Sequence, residues 1–217
     1  MHNPIFAFDF SMAKPAMCAL IENTISFYFW PTELDDFSYN KYQLYDVNTT
    51  VRHLPPMRKE DYDESTLITE HVNRASDLAE MIASTMLSLT DSPESAIVAN
   101  EGFAFAATGD AALDLSGYKY ILMKTLMDKG FQYFKTYSPI SIKSTAGCAK
   151  KGMKKEDMIE SFIKNGPLIH KFISEMSINP SQFKKKTAYI KGIDDLVDAY
   201  WCLRTCINKE NISCILS

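Results

Sequence analysis

The chain of 217 residues has no apolar run approaching the ~18 that span a bilayer. Its N-terminus lacks the basic stretch, apolar core and small-residue cleavage site of a secretory signal. Both absences lead to the expectation of a soluble, cytoplasmic protein with no membrane partner. Cysteine is sparse: the five residues at 18, 148, 202, 206 and 214 are an odd number without a dense framework, which fits a reducing compartment. Cys202 and Cys206 share a helix face, but no second Cys or His pair stands at metal-ligand spacing, which speaks against zinc. A Gly-x-x-x-x-Gly-Lys-Ser/Thr loop is missing, which excludes a complete ATP-driven motor. Repeats, low-complexity tracts and interdomain linkers are missing too. Net positive charge is also lacking, and at −4 the chain carries no general basic coat for nucleic acid.

What is present is enough apolar content, 46%, to bury a full core. We expect one domain over residues 1–217, with an irregular insertion at about 31–63 rich in proline, aromatics and acids and carrying a short strand near Thr49–His53. Strands are expected at Ile5–Phe10, Met17–Ile21 and Thr24–Trp30, the last two joined by a tight turn at Glu22-Asn23. Helical spacing of Leu67, Val72, Ala75, Leu78, Ala79, Ile82 and Met86 predicts a helix over Glu64–Leu89, with His71 on its core face. Then come a buried strand at Ser95–Glu101, a helix from Thr108 to Lys129 ended by Gly130, and a strand at Phe131–Tyr137 stopped by Pro139. A polar Lys/Gly segment over 141–155 precedes helices at Lys155–Lys164, Leu168–Met176 and Ile193–Cys206. The order describes a mixed α/β sheet with helices on its faces.

Four acids stand in apolar surroundings: Asp9 in Ile5–Phe10, Glu101 after Ile97-Val98-Ala99-Asn100, and Asp195 and Asp198 in the last helix. Burying a carboxylate is costly unless a cation meets it. At 100° per residue, Ile193, Leu196, Val197, Tyr200 and Trp201 form one arc of that helix and Asp195 and Asp198 project together beside it. Asp194 is read as a helix-start acid, favoured by capping and the macrodipole. Oxygen ligands without a His/Cys set suit Mg²⁺ or Mn²⁺, and two such ions can activate water and stabilise the leaving oxygen of a phosphodiester. Positive charge gathers in the C-terminal half, at Lys143, Lys150, Lys151, Lys154 and Lys155 and again at Lys184, Lys185, Lys186 and Lys191, as a phosphate-facing groove would require.

These residues resemble the RuvC-like Holliday-junction resolvases of the ribonuclease H-like superfamily, in particular the divergent branch of large DNA viruses. The resemblance is carried by Phe6-Ala7-Phe8-Asp9, by Asn100-Glu101-Gly102-Phe103, by the Ser138 to Ala149 segment with Lys143 and Gly147, followed by Lys155-Glu156-Asp157-Met158, and by Asp195-Leu196-Val197-Asp198-Ala199. The sequence departs from the bacterial pattern after Asp9 and across 31–63. The resemblance implies a ribonuclease H-like mixed five-stranded sheet flanked by helices and a viral or phage protein acting inside the host cell. It further implies a homodimeric endonuclease that resolves four-way junctions and other branched DNA. Asp9, Glu101, Asp195 and Asp198 would hold two Mg²⁺ or Mn²⁺ ions, and Lys155 would stabilise the transition state. Lys154 is the alternative, and Lys155 is preferred because it keeps the three-residue step to an apolar position. Lys143, Lys150, Lys151 and Lys154 would bind phosphates, and Phe103 and Phe105 would stack at the branch point or sit in the core. The helix over 108–129 is the candidate dimer surface, with packing on the sheet as its alternative. Competing readings are another ribonuclease H-like nuclease, of ribonuclease H or terminase type, and a non-catalytic junction-binding protein.

Overall fold

The computed structural model describes residues 3–44, 46–54, 63–102, 110–150, 152–165 and 191–213. Strand β1 (Ile5–Asp9) is central because its residues suit burial on both faces: Ile5, Phe6, Ala7 and Phe8 are all buried. It pairs antiparallel with β2 (Ala16–Ile21), which turns back into β3 (Thr24–Phe29). Glu22 and Asn23 form that turn with φ of 49° and 67°, two successive positive values that match the twist of a two-residue hairpin. Helix α1 (Asp36–Leu44) leads to β4 (Val47–Thr49), parallel to β3. Helix α2 (Glu64–Leu89) crosses to β5 (Ile97–Glu101), which lies parallel to β1. Helix α3 (Asp110–Asp128) crosses to β6 (Tyr133–Tyr137), parallel to β5. The sheet order is β4-β3-β2-β1-β5-β6, and β2 alone runs against the others. This is the expected mixed α/β sheet flanked by helices, with β4 as a sixth strand beyond the five anticipated.

Strand alternation sends successive side chains to opposite faces. Phe6 and Phe8 enter a core with Leu78, Ile82 and Met86 of α2 and Leu122 and Leu126 of α3. Ile5 and Ala7 enter the other core, which is built with α4 (Pro139–Thr145), α5 (Lys155–Asn165) and α6 (Ile193–Lys209). Phe162, Leu196, Tyr200 and Trp201 fill it, with Phe162 edge-on to Tyr200 at 4.8 Å.

Two expectations need correction. Where it is described, the 31–63 insertion holds helix α1, which was not expected, and the short strand expected near Thr49–His53 lies slightly earlier, as β4 at Val47–Thr49. Asp35 accepts the Ser38 N–H at 2.9 Å to start α1, and the buried Tyr42 lies edge-on to Phe29 at 5.4 Å. The Tyr42 hydroxyl donates 2.8 Å to the Lys191 carbonyl just ahead of α6. The start of the polar 141–155 segment is likewise helical. Ser138 caps α4 by accepting the Ser141 N–H at 3.3 Å, and Pro139 suits the first turn, where no amide donor is needed. The helix expected at Leu168–Met176 lies outside the described residues. His71 is half-buried, stacks on Tyr118 at 5.8 Å and hydrogen-bonds its hydroxyl through Nδ1.

Candidate active site

Asp9 ends β1 and Glu101 ends β5, and the parallel register (Ala7 beside Ala99, Phe8 beside Asn100) brings both to one edge of the sheet. Asp9 shares its alternation with Ile5 and Ala7, and Glu101 with Ile97 and Ala99, so both acids face the α6 side. Helix α6 packs across β1, β2 and β5, and its first two turns carry Asp195 and Asp198. The last ends of parallel strands are the usual place for a crevice in such sheets. Asp195 is only 9% exposed, and Asp198 and both strand acids are half-buried. The helix is therefore covered beyond the apolar arc read from its sequence, and the acids lie under the sheet edge instead of in open solvent.

Their electrostatics show that the four acids feel one another. Burial pushes Asp9 well above the ordinary carboxylate range, and repulsion from Asp198, Asp195 and Glu101 adds to it. Asp198 is pushed up to about 7, first by burial and then by Glu101, Asp194 and Asp195, against the attraction of Lys155. Asp195 rises to about 6, through burial and the neighbouring Asp194, with Lys14 and Lys155 opposing. Glu101 is raised by burial while Lys119, Lys143 and Lys155 pull it back.

Among the lysines named from sequence, Lys155 is the one drawn into this cluster. It begins α5 and donates 2.7 Å to Asp194. Burial works against its charge, but the bond to Asp194 and the fields of Asp194, Asp198 and Asp195 outweigh that and raise its pKa. Lys154 is exposed, and its backbone N–H is held by Asp157 at 2.6 Å. Lys143, in the last turn of α4, is exposed within the field of Glu101, and Lys150 is exposed nearby in sequence. Lys191 pairs with Glu33 at 2.5 Å. Lys151, Lys184, Lys185, Lys186, Phe103 and Phe105 lie outside the described residues.

Three residues at the site were missed or misread. Lys14, in the β1–β2 connection, stands 3.9 Å from Asp195 Oδ2. Lys119 of α3 donates 2.7 Å to the Glu101 carbonyl, and burial lowers its pKa against the pull of Glu101 and Asp9. Asp194 lies in the first turn of α6, as expected of a helix-start acid, but it does not cap the helix: the N-cap is Gly192, with φ +87° and no side-chain cap bond, and Asp194 engages Lys155. The Asp-Asp pair at a helix start carried no sequence signal separating these roles. A lysine placed shortly after a strand acid could have flagged Lys14.

The donor set, all carboxylate oxygens, suits a hard divalent cation in kind. One buried oxygen, Asp195 Oδ2, has no hydrogen-bond partner, since Lys14 is beyond hydrogen-bond reach. Such an orphan acceptor is expected where a cation completes the site. Among the described residues, however, no three His, Cys, Asp or Glu side chains are gathered into a group that could hold an ion as they stand. The acids share a field without forming a finished coordination shell.

No protein-family model matches the sequence, and no curated protein sequence matches it. Several solved structures are similar. Thermus thermophilus RuvC is 9% identical, with 96% of each chain covered and a TM-score of 0.44. T. thermophilus RuvC in complex with Holliday junction substrate is 8% identical, with 96% of each chain covered and a TM-score of 0.46. The yeast mitochondrial Holliday junction resolvase Ydc2 is 11% identical, over 94% of this chain and 79% of that one, with a TM-score of 0.46.

Proposed function

We propose that this protein is a metal-dependent, structure-selective DNA endonuclease that resolves four-way junctions and other branched DNA. The observation that carries the reading is that Asp9 and Glu101 at the ends of β1 and β5 and Asp195 and Asp198 at the start of α6 all have their pKa raised by burial, with Asp9 in the field of the other three, beside Lys155. A protein that only bound DNA would gain nothing from repelling acids placed where phosphate must approach. Asp9, Glu101, Asp195 and Asp198 would hold Mg²⁺ or Mn²⁺, two ions in all. Bound there, the ions supply activation of water and neutralisation of charge on the departing 3′ oxygen.

The chain's own residues do the rest. Lys155 meets the charge that builds on the phosphate in the transition state, and Lys14 and Lys119 partly offset the acids. Lys143, Lys150, Lys151 and Lys154 contact flanking phosphates without reading sequence, and Phe103 and Phe105 stack on bases at the branch. A junction with two-fold symmetry needs two nicks, so the acting form is a homodimer. Tyr120 and Met127 of α3, 63% and 57% exposed while Leu122 and Leu126 of the same helix are buried, suit the surface between copies.

The test offers labelled four-way junction, flap, duplex and RNA–DNA hybrid to the protein with Mg²⁺ or Mn²⁺. Paired symmetric nicks in the junction are expected from a dimer, and Asp198→Asn should bind the junction as well or better while cleaving at least ~10³-fold more slowly. Undiminished single-turnover cleavage by Asp198→Asn refutes the site. Preferential cutting of the RNA strand by a monomer refutes the resolvase reading.

A further inference from the structure

Asp194 is the fifth acid at this site and belongs to neither the strand pair nor the Asp195/Asp198 pair. Its partner is specific: Lys155 Nζ lies 2.7 Å from Asp194 Oδ2, joining the first turn of α6 to the first residue of α5. Side-chain capping is ruled out by geometry, because Gly192 is the N-cap and no side chain caps the helix, and the macrodipole that favours an acid in this first turn does not select Lys155 as its partner. The pair lies at the rim of the site, with the Asp194 side chain 30% exposed and that of Lys155 64% exposed.

Lys155 stands within the fields of Asp194, Asp195, Asp198 and Asp9 at once. Its four-carbon stem is flexible and its ammonium is compact, so the position of its charge is set by the acid that binds it first. Without Asp194, the remaining attraction comes from Asp198, Asp195 and Asp9, and the ammonium would settle among them. There it would occupy the place of a cation and be withdrawn from an incoming phosphate. We infer that Asp194 is a positioning residue that holds Lys155 at the rim of the carboxylate cluster, where the ammonium faces the phosphate and does not compete with divalent ions. This inference rests on the proposed nuclease function, and it adds a role for an acid outside the four proposed ligands.

The experiment is a double-mutant cycle on the full-length protein with Asp194→Asn, Lys155→Ala and the pair, read in two ways. The first reading is Mn²⁺ binding without DNA, by electron paramagnetic resonance of the free ion. Asp194→Asn should weaken binding about tenfold when Lys155 is present and at most twofold in the Lys155→Ala background, because only a released lysine competes. The second is the single-turnover cleavage rate at saturating ion and junction. Asp194→Asn should slow it, Asp194→Glu should recover much of the loss, and the double variant should be no slower than Lys155→Ala alone. Equal loss of Mn²⁺ binding in both backgrounds, or rate losses that multiply in the double variant, overturns the inference. Asp198→Asn is the control for the underlying site. If it binds Mn²⁺ like the unsubstituted protein, the four-carboxylate reading falls and takes this inference with it, whereas lost binding there with an uncoupled Asp194 overturns the positioning role alone.

Discussion

Asp198→Asn should stabilise the fold at alkaline pH while abolishing the proposed chemistry. An unfolded aspartate ionises near 3.8, but in the folded protein Asp198 keeps its proton up to about 7, because burial and then Glu101, Asp194 and Asp195 disfavour its charge more than Lys155 favours it. Between those values the folded chain binds more protons than the unfolded chain, so stability falls as pH rises through roughly 4 to 7, and the penalty is complete above about 7. The span corresponds to about 4 kcal/mol at pH 8 as an upper figure. Asparagine still has to bury an amide and the other acids still repel one another, so about 2 kcal/mol is the expected gain. For a chain of this length that is a rise of about 4–8 °C in melting temperature.

The assay is thermal unfolding of both proteins from pH 4.5 to 8.5 in chelator. The advantage of Asp198→Asn should be largest at pH 8 and close toward pH 4.5. Adding millimolar Mg²⁺ at pH 8 should raise the melting temperature of the unsubstituted protein and leave the variant nearly unchanged, since a ligand stabilises only the state that binds it. An Asp198→Asn protein no more stable than its parent at pH 8, with a parallel pH profile, would refute the reasoning that these acids are held against their repulsion.

Two further outcomes are expected. Lys143→Ala and Lys150→Ala should each weaken junction binding without changing sequence preference and lower the slope of log affinity against log salt by about one; an unchanged slope removes that lysine from the phosphate surface. Gly192→Ala should destabilise the fold by about 2–4 kcal/mol in urea unfolding, because φ is +87° and an added Cβ would run into the Phe29 ring; a midpoint within error of the parent would show that the start of α6 adapts freely.

How much could be read in advance depended on where the determining contacts lie in the chain. Strand β1 and helices α2, α5 and α6 were legible because burial itself writes the pattern: apolar Ile5 to Phe8 unbroken, and apolar spacing near 3.6 along Leu78, Ile82 and Met86. That Asp9 and Glu101 share a face follows only from the parallel register of β1 and β5, which the sequence did not state. Helix α1 was not legible because only Ser38 and Tyr42 along it are buried, so no apolar stripe marks it, and Tyr42 is fixed by Phe29 and Lys191 from far along the chain. Helix α4 was hidden for a related reason: its seven residues bury Ile142 alone. The partnership of Lys155 with Asp194 spans 39 positions and depends on two helix starts meeting, which no local rule encodes.

The force that assembles mutually repelling acids comes from the same helix that carries two of them. Leu196, Val197, Tyr200, Trp201, Leu203 and Ile207 of α6 are all at most 7% exposed, and each buried side chain of this kind contributes about 1.5–3 kcal/mol. Even after discounting for a compact unfolded chain, that total exceeds the roughly 4 kcal/mol tied to Asp198 at alkaline pH. The apolar contacts continue to Ile207, far past the acids, so α6 stays docked on β1, β2 and β5 while its first two turns bear the strain. That end of the helix is also held by contacts beside the acids: Tyr42 and Glu33 bind Lys191, and Lys14 and Lys155 stand across from Asp195 and Asp194. The 31–63 insertion, through Tyr42 of α1, thus braces the end of α6 that carries Asp194 and Asp195.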